Sequence, residues 1–178
     1  ILIGTHNSGK FKELSFLISN KYKKISPSSF KIPPPRETGK TFLANSKLKA
    51  NYFYKRTRKN VISDDSGLCI NCLQGRPGIY SARWAKKYGG FKKAMNKILK
   101  MVEFKNRNKK NKNFKAKFVC SLTLKKNKGK SISTIGTIYG RLSKKAKGQN
   151  GFGYDPIFIP NKHNVTFGEM LKKKKILM

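Results

Sequence analysis

Residues 61–85 read VISDDSGLCINCLQGRPGIYSARWA, a short β-branched run, Val61-Ile62-Ser63, that breaks at once into Asp64-Asp65-Ser66-Gly67. The chain carries seven acidic residues against 42 Lys and Arg, and two of the seven stand here side by side. Neighbouring side chains on a strand point to opposite faces, so at most one of this pair addresses a given site. The other turns away, free to accept hydrogen bonds from the turn. A carboxylate at a strand end, followed by Ser-Gly, suits a magnesium ligand or a general base for water. It equally suits an Asx-type turn closing a hairpin. On these residues alone both readings stand.

Length and composition set the frame. A chain of 178 residues is read as a single domain, 1–178, long enough to bury a core. No apolar run approaches the roughly 18 residues of a membrane span, and no signal peptide is read. The expected setting is therefore cytoplasmic, with no membrane partner. Ile1 lies inside what reads as a strand and no initiator Met precedes it, so a trimmed sequence is expected. Three cysteines, Cys69, Cys72 and Cys120, form an odd set that argues against a disulfide framework. Cys69 and Cys72 have CxxC spacing without a second pair, and packing as small apolar residues is the better reading. The net charge of +35 raises the question of nucleic acid. Because the lysines are spread through almost every segment, often beside Asn and Ile, compositional drift and solvated faces are the preferred account.

Outward from that stretch, Ile1 to Gly4 reads as a buried strand. Thr5-His6-Asn7-Ser8-Gly9-Lys10 is a polar turn leading into a helix with Phe11, Leu14, Leu17 and Ile18 on one face, capped by Asn7 or Ser8. Strand, turn and helix N-terminus with a lysine make a natural phosphate cradle. Gly4-xxxx-Gly9-Lys10 matches most of a Walker A loop, but Phe11 stands where Ser or Thr would hold magnesium. Tyr22 to Ile25 is a possible short strand, and Pro33-Pro34-Pro35 imposes an extended segment that delivers Glu37 in a turn. Thr41 caps a helix from Phe42 to about Arg56, on which Asn45 and Lys49 lie four apart and share a face. That face either meets water or lines the same site as Glu37. Phe91, Ala94, Met95, Ile98, Leu99 and Val102 mark a core helix. Phe114–Leu124 and Ser131–Tyr139 alternate like an antiparallel pair joined at Asn127-Lys128-Gly129. In residues 148–156, GQNGFGYDP, three glycines permit close backbone approach. Phe152 and Tyr154 offer faces for a base or fill the core, and Asp155 adds a loop carboxylate. Ile157–Ile159 is a strand, and the element begun at Phe167–Met170 dissolves into Lys172–Lys175.

Four blocks now stand in order: THNSGK (5–10), ETGKTFLANSKLKA (37–50), the stretch 61–85, and GFGYDPIFIP (151–160). Together they resemble the inosine triphosphate pyrophosphatase family. The resemblance implies an elongated α/β fold, a mixed β-sheet with flanking helices and two lobes around a central cleft, and usually a homodimer. It implies cleavage of ITP, dITP or XTP to the monophosphate and pyrophosphate with Mg2+. Matched by position, Thr5, Asn7 and Lys10 fall in the phosphate-binding turn, Glu37 on a magnesium ligand, and Lys49 on a phosphate-contacting lysine. Asp65 falls on the catalytic residue that holds metal and accepts a proton from water, and Ser66 on a substrate contact. Phe152, Gly153, Tyr154 and Asp155 fall in the block that holds the nucleoside. There are two departures: Ala44 occupies an acidic position of the family's FxENA helix, and the Ser-His-Arg triplet that recognises a 6-oxo purine would begin just after Met178. The competing readings are a P-loop NTPase releasing orthophosphate, a basic nucleic-acid-binding module and an inactive fragment.

Overall fold

The computed structural model describes residues 1–126 and 130–176, with the side chain of Ile176 left aside; the turn read at Asn127-Lys128-Gly129 lies outside the described residues. Five strands form one sheet in the order β1-β2-β3-β4-β5. They are β1 Leu2–Ile3, β2 Val61–Ile70, β3 Lys115–Lys125, β4 Ser131–Leu142 and β5 Phe158–Pro160. β1 runs parallel to β2, with Leu2 opposite Val61, and β5 runs antiparallel to β4, with Arg141 opposite Ile159. The sheet is thus mixed, and with its helices α1 Ser8–Leu17, α2 Phe42–Thr57, α3 Ser81–Lys87, α4 Phe91–Asn106 and α5 Lys172–Ile176 the fold is α/β, as expected.

The chain divides into two compact units, residues 1–65 with 120–136, and residues 66–119 with 137–178. In the first, the apolar core is small: Leu2, Phe53 and Val61, with Ile25, Ile32, Tyr52 and Tyr54 against it. The second holds the larger core, built on Leu68, Ile70, Ile98, Val102, Phe158 and Phe167. Its aromatic centre is a triad in which the Phe118, Phe158 and Phe167 rings lie 4.8–6.0 Å apart.

Four expectations need correction. β2 does not break at Asp64 but runs ten residues through Asp64-Asp65-Ser66-Gly67. Both aspartates are buried and paired to lysines, so neither needs a turn to reach water and the ladder continues. The strand expected at Tyr22–Ile25 is reduced to one bridge, Ile25 beside Leu2. Lys172–Lys175 do not dissolve: they wind into α5, where Lys175 finds a buried carboxylate. Along α1 only Leu14 of the anticipated apolar face is buried, and Leu17 is 59% exposed.

Candidate functional site

In the first unit, α2 brings the chemistry together. Thr41 accepts the Ala44 N–H at 3.0 Å and starts the helix, and this register turns Asn45 and Lys49 inward. The Lys49 ammonium lies 2.9 Å from Glu37 Oε1 and 3.8 Å from Asp65 Oδ1. One turn back, Asn45 Nδ2 donates to Asp65 Oδ2 at 3.0 Å. Two carboxylates from distant parts of the chain therefore surround one cation. Burial pushes the Asp65 carboxyl above its usual range; Lys49 opposes this, Glu37 adds to it, and Asn45 and Lys10 oppose it. An Asp of this kind is a stronger proton acceptor than a solvated one.

On the opposite side of β2, Lys10 Nζ lies 2.6 Å from Asp64 Oδ2, with Asp64 only 4% exposed. Burial pulls the Lys10 pKa down, but the charge of Asp64 and its hydrogen bond outweigh burial and leave it raised. The turn before Lys10 is internally tied. Thr5 Oγ1 accepts the Asn7 N–H at 3.1 Å, and Asn7 Oδ1 accepts the Lys10 N–H at 3.1 Å as the cap of α1. Gly4 permits the close packing beneath, because a Cβ there would strike the Ser63 hydroxyl and the Phe53 ring. Burial pushes the Cys120 thiol up to about 11, which makes it a poor nucleophile.

The second unit carries the remaining positions. Ser66 follows Asp65 along β2 and is half-buried. Tyr154 is 2% exposed: its ring meets Phe91 edge-on at 5.2 Å and its hydroxyl donates to Ser81 O at 2.9 Å. Its face is thus used in the core, the second of the two readings given to it above. Gly153 has φ +66°, a left-handed turn that favours glycine. Asp155 accepts the Phe152 N–H at 2.8 Å and pairs with Lys175 at 2.7 Å, and the same ammonium sits 5.0 Å from the Phe152 ring centre.

Glu37 and Asp65 are hard oxygen donors. Among the described residues no set of three or more His, Cys, Asp or Glu is arranged to hold a metal alone. Two carboxylates nonetheless fit a hard divalent ion whose shell is completed by water and substrate phosphate. Sequence reasoning left open what Asn45 faces and passed over the partners of Asp64 and Asp155. The scarcity of acids was the available signal for Asp64, since a lone buried carboxylate in so basic a chain finds a lysine. For Lys175, inside a run of lysines, no local signal distinguishes it.

Comparison with known proteins adds the following. The model described as the Ham1 family matches residues 1–178. The dITP/XTP pyrophosphatase of Oceanobacillus iheyensis is 40% identical over 180 residues, covering 98% of this chain and 88% of that protein. That of Zymomonas mobilis is 36% identical over 171 residues, covering 96% and 80%. Among solved structures, a HAM1 protein from Coxiella burnetii superposes with TM-score 0.85 at 32% identity, covering 98% of this chain and 88% of that one. The Staphylococcus aureus Ham1 protein gives 0.82 at 32%, with the same coverage.

Proposed function

This chain belongs to the Ham1 family, and from that membership we propose that it hydrolyses non-standard purine nucleoside triphosphates (ITP, dITP and XTP) to the monophosphate and pyrophosphate. The observation that carries this reading is the Lys49 ammonium between Glu37 and Asp65, in a chain whose relatives are named dITP/XTP pyrophosphatases.

A triphosphate brings about four negative charges, which need lysines and a helix N-terminus to offset them. Lys49, Lys10 and the start of α1 with Thr5 and Asn7 take that role. Lys10 exchanges Asp64 for phosphate, and Ser66 contacts substrate. Glu37 and Asp65 would hold Mg2+, which when bound supplies positive charge to the phosphate oxygens. Asp65 Oδ1 takes the proton of water as the water oxygen bonds to phosphorus and the anhydride P–O bond breaks, releasing pyrophosphate. In the block at 152–155, Phe152 is the ring offered to the base. Gly153 lets the backbone turn, and Tyr154 and Asp155 brace the loop from the core and through Lys175.

Family grounds also support a homodimer and a cytoplasmic setting. No helix among the described residues is long and apolar enough to cross a membrane.

The test is a product assay with ITP, XTP, GTP and ATP, with and without Mg2+. Magnesium-dependent pyrophosphate from ITP or XTP, lost in Asp65→Asn, is the expected result. Orthophosphate in its place would sink the proposal and favour a P-loop mechanism.

A further inference from the structure

Asn45 is fully buried, and its amide makes two hydrogen bonds to different parts of the chain. Oδ1 accepts the Gly39 N–H at 2.8 Å, and Nδ2 donates to Asp65 Oδ2 at 3.0 Å. A backbone N–H faces only an acceptor and an ionised carboxylate only a donor, so the two partners together fix which way the amide points. Gly39 belongs to the contact as well: a Cβ there would lie 2.5 Å from Asn45 Oδ1 and 2.9 Å from the Ala44 Cβ. The turn carrying Glu37 is therefore brought against α2 at the one residue whose missing side chain permits it.

From this geometry we infer that Asn45 is a positioning residue, one buried amide that ties the Glu37 turn to Asp65 and leaves Asp65 Oδ1 as the working oxygen. The inference rests on the proposed roles of Glu37 and Asp65. Asn45 and Lys49 lie one helical turn apart, and each touches both the segment 37–39 and Asp65. They do so by different physics. Lys49 is a point charge on a flexible stem that incoming phosphate competes for. Asn45 holds by two directional bonds, one to a backbone N–H and one to a carboxylate oxygen. With Oδ2 engaged by the amide, Oδ1 faces Lys49 and remains for cation, water or substrate. Outer-shell partners of this kind orient the groups that touch the ion, and their loss typically weakens metal affinity or activity by about 10–100-fold.

The experiment compares wild type with Asn45→Ala, Asn45→Leu and Ser46→Ala. Mn2+ is titrated into each nucleotide-free protein by electron paramagnetic resonance, and kcat and KM for ITP are measured alongside. Ser46 is the control: equally buried, its hydroxyl bonds to Leu43 O, Ser121 and Thr123 and reaches none of the charged groups. Leu fills the Asn volume without its polar atoms, so a folding failure of the Ala variant leaves a second one to read. The expected result is Mn2+ affinity about tenfold weaker in both Asn45 variants, kcat reduced more than KM is changed, and Ser46→Ala at wild-type affinity despite lower stability. Mn2+ affinity within twofold of wild type in a folded Asn45 variant, an equal loss in Ser46→Ala, or a wild type with no Mn2+ site overturns the inference. A wild type that binds Mn2+ but releases no pyrophosphate sinks the proposed function instead, and the affinity ratio still decides the role of Asn45.

Discussion

Helices α2 and α4 are both 16 residues long, yet they bury opposite kinds of side chain. α4 turns inward Ala94, Met95, Ile98 and Val102, with Asn106 the polar exception. α2 turns inward Asn45, Ser46 and Lys49 before Ala50 and Phe53. The apolar stripe of α4 needs only to be covered, because burial energy is non-directional and scales with area. The polar stripe of α2 needs a partner for every atom, since an unmet buried group costs about 1–3 kcal/mol. Each has one: Asn45 has Gly39 and Asp65, Ser46 has Ser121 and Thr123, and Lys49 has Glu37 and Asp65. Even Asn106 is satisfied, by Val102 O and by the backbone of Asn113. One helix is a scaffold, and the other carries the polar residues of the candidate site in a geometry that its own packing maintains.

Substitutions can break this contrast. The largest effect is expected from Asp65→Asn, which removes the proposed proton acceptor and should lower kcat/KM for ITP by about 10²–10⁴-fold in a pyrophosphate-release assay. A fall of less than tenfold would show that α2 does not serve a catalytic carboxylate. On the scaffold side, Ile98→Ala should cost about 2–5 kcal/mol of unfolding free energy, read in urea, with activity per folded molecule unchanged. Next comes a matched pair. Lys49→Ala leaves Glu37 and buried Asp65 facing each other and should cost about 2 kcal/mol. Lys97→Ala, on the exposed face of α4, should stay within about 0.5 kcal/mol. Equal costs would mean the two helices are not different in kind.

The smallest expected effect concerns pH. The Asp65 carboxyl has a folded-state pKa above its ordinary 3.8, so its environment favours the protonated form. Ionised Asp65 therefore burdens stability above the raised pKa, and the burden disappears as pH falls below 3.8. Asp65→Asn, which can still accept from Asn45, should be more stable than wild type at neutral pH, with a higher Tm. The difference should close as the pH is lowered, as followed by thermal melts. An Asn variant less stable than wild type at neutral pH would mean that Lys49 and Asn45 outweigh burial.

The same contrast governs what could be read in advance. The α4 stripe follows helical spacing and was legible residue by residue, as was the cap at Thr41; the α1 cap was narrowed to Asn7 or Ser8, and β3 and β4 were legible as strands. The buried face of α2 was not, because polar residues at helical spacing look like a solvent face until their partners are known. Residues 61–67 misled for a related reason: Asp-Asp-Ser-Gly has the composition of a turn, and only the lysines at positions 10 and 49 allow a strand to carry two carboxylates inward. Tyr154 shows the limit from the other side, since aromatic content alone did not separate a stacking face from a core ring hydrogen-bonded to Ser81.

By itself the sequence determined the local order of this protein and its family, through periodic apolar stripes, capping residues and four motif blocks that depend only on neighbours along the chain. It also held, in seven acids against 42 basic residues, the rule that every buried carboxylate would meet a cation. Which lysine meets which acid, and that Asn45 joins residue 39 to residue 65, only the tertiary structure decided. Those pairings span 6 to 54 residues, and hydrogen-bond and charge complementarity act on distances in space, which spacing along a chain does not encode.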